Sequence, residues 1–261
     1  MSNFIIAVGH TASGNIGCGV ISRLNESNCT REIAPLVVKY LEEEGHKSTL
    51  LRVDKSNSYK YEDCYVRANK ANDIAKTSKV DLYVEIHINA GGGTGSEVLV
   101  LGKSELANKY ANRVSKALAT YLGLTNRGAK TQSLIVLNKT SMPAILVECL
   151  FSDSSDADKY NADLIARAIV RGLVGDQSSC DSHWKFGWNR NEVGWWYCTD
   201  IINKYYYTSK NGWKFIDGDW YVFDENGYAL RDVWYFDECE KAWYYLGDDC
   251  KMVRESKKKF L

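Results

Sequence analysis

Four ionisable side chains in the first two-thirds of the sequence stand where strands or helices should begin or end. His10 follows the apolar run Phe4-Ile5-Ile6-Ala7-Val8, His87 closes Leu82 to His87, and Glu148 closes Ala144 to Glu148. Glu26 opens the first helical pattern, sixteen residues after His10. In open α/β sheets, sites collect beyond the carboxyl ends of the strands. Two imidazoles and one carboxylate converging there are a suitable ligand set for catalytic zinc, with a fourth position left to water. Such a centre would be net positive, able to acidify that water and polarise a carbonyl. A further carboxylate that does not ligate can move the proton from water to leaving group, and Glu148, after a buried apolar run, is the candidate. Spacing alone leaves a plainer reading open. The three ligands are scattered over 78 residues with no compact motif, and a histidine at a strand end also serves as a hydrogen-bonded structural residue.

The elements that must position these groups follow from hydrophobic periodicity. Short β-branched runs predict strands over Phe4 to Val8, Ser48 to Val53, Leu82 to His87, Glu97 to Leu101, Leu134 to Leu137 and Ala144 to Glu148. Apolar residues three and four apart predict helices over Glu26 to Glu44, Glu62 to Thr77, Ser104 to Leu122 and Ser155 to Leu173. Pro35 either kinks the first helix or marks its true start. Strands alternating with helices define an α/β domain, a mixed sheet flanked by helices.

Composition excludes several classes. With 33 basic and 33 acidic groups the chain is neutral, and neither part hides a basic module, so nucleic acid and anionic membrane surfaces are not expected partners. No apolar run reaches the length of a membrane span, and the start lacks the positive segment of a signal peptide. The expectation is a cytoplasmic protein until something releases it. The eight cysteines form no CxxC pair and no regular disulfide spacing, which suits a reducing compartment.

Aromatic residues mark a boundary. All eight Trp lie between positions 183 and 261, where 22 aromatics occupy 79 residues, against ten in the first 182. Two domains are expected, at 1–175 and 183–261, with the polar stretch 176–182 as linker. The second half repeats: Trp188 precedes Trp196-Tyr197, Trp213 precedes Trp220-Tyr221, and Trp234 precedes Trp243-Tyr244. Turn residues such as Asn211-Gly212 and Asn226-Gly227 separate the runs, so the expected structure is a small solenoid of β-hairpins with rings between units. Rings of this kind attract a quaternary ammonium or stack on a sugar, and also simply fill a core. Trp213, Trp220, Trp234 and Trp243 are the candidate ligand-binding rings, and such a module could pair with a second copy into a homodimer.

The segments Val8-Gly9-His10, Asn25-Glu26, Glu85-Ile86-His87-Ile88-Asn89-Ala90, Gly95-Ser96-Glu97-Val98, Asn126-Arg127-Gly128-Ala129-Lys130 and Val147-Glu148-Cys149-Leu150-Phe151 are ordered as in zinc-dependent N-acetylmuramoyl-L-alanine amidases of type 3. Over residues 3–174 the chain resembles the clostridial phage endolysins of that family. The resemblance implies His10, Glu26 and His87 as zinc ligands, Glu148 as the catalytic residue, and peptidoglycan as substrate, cut between N-acetylmuramic acid and L-alanine. The aromatic units resemble choline-binding and related cell-wall-binding repeats, which implies choline, teichoic acid or wall glycan as ligand. An endolysin is the leading expectation. Its alternatives are a host autolysin or mother-cell-lysis amidase, a zinc peptidase of the stem peptide, and a wall-binding protein that has lost catalysis.

Overall fold

The computed structural model describes residues 1–57, 61–175, 186–200 and 205–254, with the backbone of 258–259. The chain divides into two compact units, Met1–Ser179 and Cys180–Leu261. The expected linker, 176–182, lies outside the described residues. Among the described residues, no helix is long and apolar enough to cross a membrane.

The first unit runs β1 (Asn3–Val8), α1 (Glu26–Glu43), β2 (Lys47–Leu51), α2 (Glu62–Thr77), β3 (Leu82–Asn89), β4 (Ser96–Val100), α3 (Glu105–Leu122), β5 (Asn126–Thr131), α4 (Ile135–Lys139), β6 (Ala144–Phe151) and α5 (Ala162–Val174). The strands form one mixed sheet in the order β2-β1-β3-β6-β4-β5. Neighbours are parallel except at β4 and β6, which run antiparallel. Central strands buried on both faces need continuous apolar runs, and β1 supplies one from Phe4 to Val8. Ile5, Ala7, Tyr83, Leu99, Ala144 and Leu146 join Ala71 of α2 and Val136 and Leu137 of α4 in one core. Successive strand residues point to opposite faces. Phe4, Ile6 and Val84 therefore face the other side, where α1 and α3 pack on α5.

Several sequence expectations change. Strands β3 and β6 run past His87 and Glu148 to Asn89 and Phe151, so neither residue closes its strand, because the apolar residues that follow remain buried and Asn89 pairs with Phe151 in the sheet. Leu134 to Leu137 is helix α4 rather than a strand, because four apolar residues do not distinguish the two and their buried partner is helix α2. The edge of the sheet is instead β5, whose polar sequence Asn126–Thr131 carries little periodic signal. The last helix is broken: a 3₁₀ turn covers Ser155–Lys159, and α5 starts anew at Ala162 behind the Asn161 cap. Pro35 lies inside α1, whose true start is set by the Asn25 side chain accepting from the Asn28 amide.

The second unit consists of small antiparallel sheets: β7 (Gly187–Arg190), β8 (Trp195–Asp200) and β9 (Tyr205–Tyr206); the hairpin β10 (Lys214–Ile216) and β11 (Asp219–Tyr221); and β12 (Val233–Asp237), β13 (Ala242–Leu246) and β14 (Lys258–Lys259). Rings bridge successive hairpins. Trp188 meets Tyr221 at 4.7 Å, and Trp213 meets Tyr235 at 5.5 Å and Tyr244 at 5.2 Å between ring centroids.

Candidate metal centre

His10 sits in the turn that leaves β1. Its φ of 63° lies in the left-handed region, uncommon for a side chain with a Cβ. The following loop folds back on it. Thr11 donates its amide to the Gly17 carbonyl at 3.1 Å, and the hydroxyls of Thr11 and Ser27 donate to the carbonyls of Ile16 and Thr11. That loop delivers Glu26 to the first position of α1, where a negative side chain suits the exposed amides of the helix start. The amides of Val20 and Ile88 both donate to the Glu26 carboxylate, at 3.1 Å each. His87 comes from β3, beside β1 in the sheet.

These three side chains converge: one donor atom from each of His10, Glu26 and His87 lies within 4.8 Å of the others. Nε2 of His10 is 3.2 Å from Oε2 of Glu26, and Nδ1 of His87 is 3.0 Å from Oε1 of the same carboxylate. The second nitrogens point outward, Nδ1 of His10 to the Gly17 carbonyl at 3.0 Å and Nε2 of His87 to Oε1 of Glu85 at 2.9 Å. Glu26 and His87 are buried, while the His10 side chain is 28% exposed, so the cluster opens to solvent on the side of His10.

Register places the fourth residue. His87 pairs with Glu148 across β3 and β6, and Glu148 pairs with Glu97 across β6 and β4. Cross-strand partners share a face, so the three form a row along one side of the sheet. Glu97 is tied down, accepting from the Asn89 amide group at 3.0 Å and pairing with Nε of Arg127 at 2.7 Å. Arg127 also lies over the Phe151 ring, so its charge is engaged rather than free in a loop. Glu148 differs: its Oε2 is buried with no hydrogen-bond partner.

Electrostatics follow from this packing. Burial raises Glu26, but the hydrogen bonds and charges of His10 and His87 outweigh it, leaving its carboxyl well below the ordinary range. Burial disfavours charge on His87, but the hydrogen bonds to Glu26 and Glu85 overcome it and lift His87 to about 10. Burial, with the nearby carboxylates Glu26, Glu97 and Glu85 and against the opposing His87, pushes Glu148 up to about 7. A carboxyl near neutrality can take a proton and give it back.

The residues fit a divalent cation. Two imidazoles and a carboxylate are a donor set for zinc, and the orphaned oxygen of Glu148 wants a polar partner. The cradle is also tight. A Cβ on Gly19 would lie 2.6 Å from Oε2 of Glu26, and one on Gly9 would lie 2.7 Å from Nε2 of His87.

Sequence reasoning missed Glu85, its partner Arg67 on α2, and the Asp63 that pairs with Arg67. The signal was present in β3: a charged residue within an otherwise apolar strand, on the same face as His87 by the two-residue period.

The four candidate tryptophans of the second unit do not share one surroundings. Trp213 is half-buried between hairpins and donates its indole N–H to Asp237 at 2.6 Å. Trp220 lies beside Phe215, Trp234 beside Tyr245 and Trp243 beside Phe236, each pair about 5 Å apart across its hairpin. Phe215, Trp220 and Trp234 are exposed, whereas Tyr221 and Tyr244, one residue on from Trp220 and Trp243, are buried. Alternation thus turns Trp220 outward and Tyr221 inward, leaves Trp243 half-buried next to a buried Tyr244, and leaves both Trp196 and Tyr197 half-buried.

A mixed sheet that gathers two imidazoles and a carboxylate into one cluster, with a second carboxylate beside it, is an arrangement suited to metal-assisted hydrolysis. The sequence model of the N-acetylmuramoyl-L-alanine amidases matches residues 5–174, and the chain belongs to that family. It is 30% identical over 176 residues to the sporulation-specific N-acetylmuramoyl-L-alanine amidase of Bacillus subtilis, covering 66% of this chain and 65% of that protein. The endolysin of Bacillus phage SPP1 is 39% identical over 98 residues, 34% of each chain. Among solved structures, the catalytic domain of the CD27L endolysin targeting Clostridia difficile superposes with a TM-score of 0.59 at 30% identity, over 67% of this chain and 97% of that one. The chain spans less than two-thirds of the length of most curated relatives it matches, 49%, 65% and 34% for three of them.

Proposed function

We propose that the chain is a zinc-dependent peptidoglycan hydrolase that cuts the amide between N-acetylmuramic acid and L-alanine, held on the bacterial wall by its aromatic unit. The observation that carries this reading is the convergence of His10, Glu26 and His87 within 4.8 Å inside the family-matched segment. Those three residues would hold the metal. Zinc bound there would supply Lewis acidity, acidifying a water and polarising the scissile carbonyl. Glu148, with a free buried oxygen beside the ligands, takes the proton of the attacking water and returns it to the departing amine of L-alanine. The left-handed turn at His10 and the two amides on Glu26 keep the ligands arranged before substrate arrives.

The second unit stacks its hairpins in series as a short solenoid, and its exposed rings Trp220 and Trp234, with the half-buried Trp243, contact the wall. An aromatic face serves both a sugar ring and the quaternary ammonium of choline on teichoic acid. A copy-to-copy pairing of this unit would give a homodimer. Likeness to two endolysins supports a phage lysis enzyme. A second reading, a host amidase of sporulation, is favoured by the longer match to the Bacillus subtilis protein.

The test is hydrolysis of purified cell walls with product mass spectrometry. Glycan chains freed of peptide, lost on chelation and restored by zinc, are expected. Products cut within the stem peptide would replace the amidase by a peptidase. Glu148→Gln should lower turnover by about two to four orders of magnitude while keeping stoichiometric zinc.

A further inference from the structure

We infer that Glu85, clamped by Arg67 and Tyr83, is the positioning residue of the centre: it accepts from the Nε2–H of His87 and so presents Nδ1 as the ligating nitrogen. The inference rests on the zinc reading above and names a device within it.

Tyr83, Glu85 and His87 are alternate residues of β3 and share a face. Onto that face α2 brings Arg67, whose Nη1 pairs with Asp63 at 2.8 Å and whose Nη2 pairs with Oε1 of Glu85 at 3.2 Å. The same Oε1 is 2.9 Å from Nε2 of His87, and the Tyr83 hydroxyl donates to Oε2. Both oxygens of Glu85 are therefore engaged, and the carboxylate cannot turn without breaking a buried contact. The side chains of Arg67 and Glu85 are each 1% exposed.

Burying such a pair seldom stabilises a fold more than apolar residues of the same size would. What this pair does provide is a fixed acceptor at one nitrogen of one imidazole. A ligating histidine that donates its other N–H to a carboxylate has its tautomer and ring plane set and its basicity raised. The two histidines of the cluster are held by different acceptors, a backbone carbonyl for His10 and the Glu85 carboxylate for His87. They present opposite nitrogens, Nε2 and Nδ1, to the two oxygens of Glu26.

The experiment uses the full-length chain and zinc alone. Chelator competition should show Glu85→Ala binding zinc about 10- to 100-fold more weakly. Glu85→Gln, which keeps an acceptor oxygen without the charge, should lose less, and activity should largely return at saturating zinc. In the zinc-loaded wild type, ring nitrogen shifts should report His87 protonated at Nε2 and metal-bound at Nδ1. Affinity within twofold of wild type in Glu85→Ala, or ligation through Nε2, overturns the inference and leaves the zinc reading standing. Should Glu85→Ala not fold, the Glu85→Gln affinity and the wild-type nitrogen shifts decide, an unweakened Gln variant counting against it. Wild-type protein that binds no zinc, or whose affinity is unchanged by His10→Ala and His87→Ala, overturns both.

Discussion

At the scale of single residues, the cluster depends on what is absent as much as on what is present. Gly19 has a φ of +77° and no room for a Cβ between Glu26 and His10, whereas Gly14, at +82°, has nothing within 4 Å. Alanine at either position should cost about 1 kcal/mol or somewhat more of stability, because the left-handed backbone disfavours it. Only Gly19→Ala should also weaken zinc binding, since its methyl group displaces two ligands. Calorimetric zinc titration of the two variants separates strain from displacement, and equal affinities would refute the cradle. The metal-free cluster has a pH signature as well. His87 is raised from 6.5 to about 10, so its contribution to stability is complete below 6.5 and is lost as pH rises through 10. Glu26 is depressed below 4.5, so its contribution has the opposite sign and disappears as pH falls. Urea unfolding in chelator should therefore show the stability gap between wild type and His87→Asn shrinking from pH 6.5 to pH 10. A gap that widens over that window contradicts the assignment of His87 as a charged partner of Glu26 and Glu85.

At the scale of elements, the site depends on two helices approaching closely on the far face of the sheet. Gly172 of α5 lies against α3, and a Cβ there would meet the Val114 Cα at 2.5 Å. Helix propensity favours alanine over glycine by about 1 kcal/mol, but the obstacle is backbone, which cannot rotate away. Gly172→Ala should thus destabilise the protein by about 1–3 kcal/mol, read as a lower urea midpoint with an unchanged slope. A stabilised variant would mean that α3 and α5 are not so closely seated. The same elements show which parts of the fold were legible. Strands β1, β3 and β6 and helices α1, α2 and α3 declare themselves through long apolar runs or strong periodicity, with His10 just beyond β1 and Glu26 opening α1, whereas His87 and Glu148 lie inside β3 and β6, short of their last residues Asn89 and Phe151. Helix α4 does not, since its few apolar residues suit either state, nor does β5, an edge strand of polar residues with exposed side chains. Glu85 and Arg67 escaped notice for another reason. They lie on different elements, 18 positions apart, and only the packing of α2 on β3 makes their charges a pair.

At the scale of the whole molecule, two units with separate cores imply two separable properties. The rings of the second unit divide by direction: Trp213 is packed between hairpins with its indole N–H on Asp237, while Trp220 and Trp234 are exposed beside Phe215 and Tyr245. Removing an outward ring deletes a contact surface at a smaller cost to the fold than removing a packed one, because part of the ring, 42% for Trp220 and 38% for Trp234, is already exposed. Removing Trp213 leaves a gap between hairpins and takes one donor from the buried Asp237 carboxylate, which keeps the amides of Cys239 and Glu240. The double variant Trp220→Ala, Trp234→Ala should lower the melting temperature less than Trp213→Ala does and keep turnover of a soluble muropeptide, yet sediment poorly with intact cell walls. Trp213→Ala should lower the melting temperature of the second unit and leave turnover of the same soluble substrate unchanged. Competition of wall sedimentation by choline, against competition by wall glycan, then identifies what the outward rings recognise. Undiminished sedimentation of the double variant would move wall recognition to another surface, and a loss of soluble turnover in either variant would show that the aromatic unit contributes to catalysis itself.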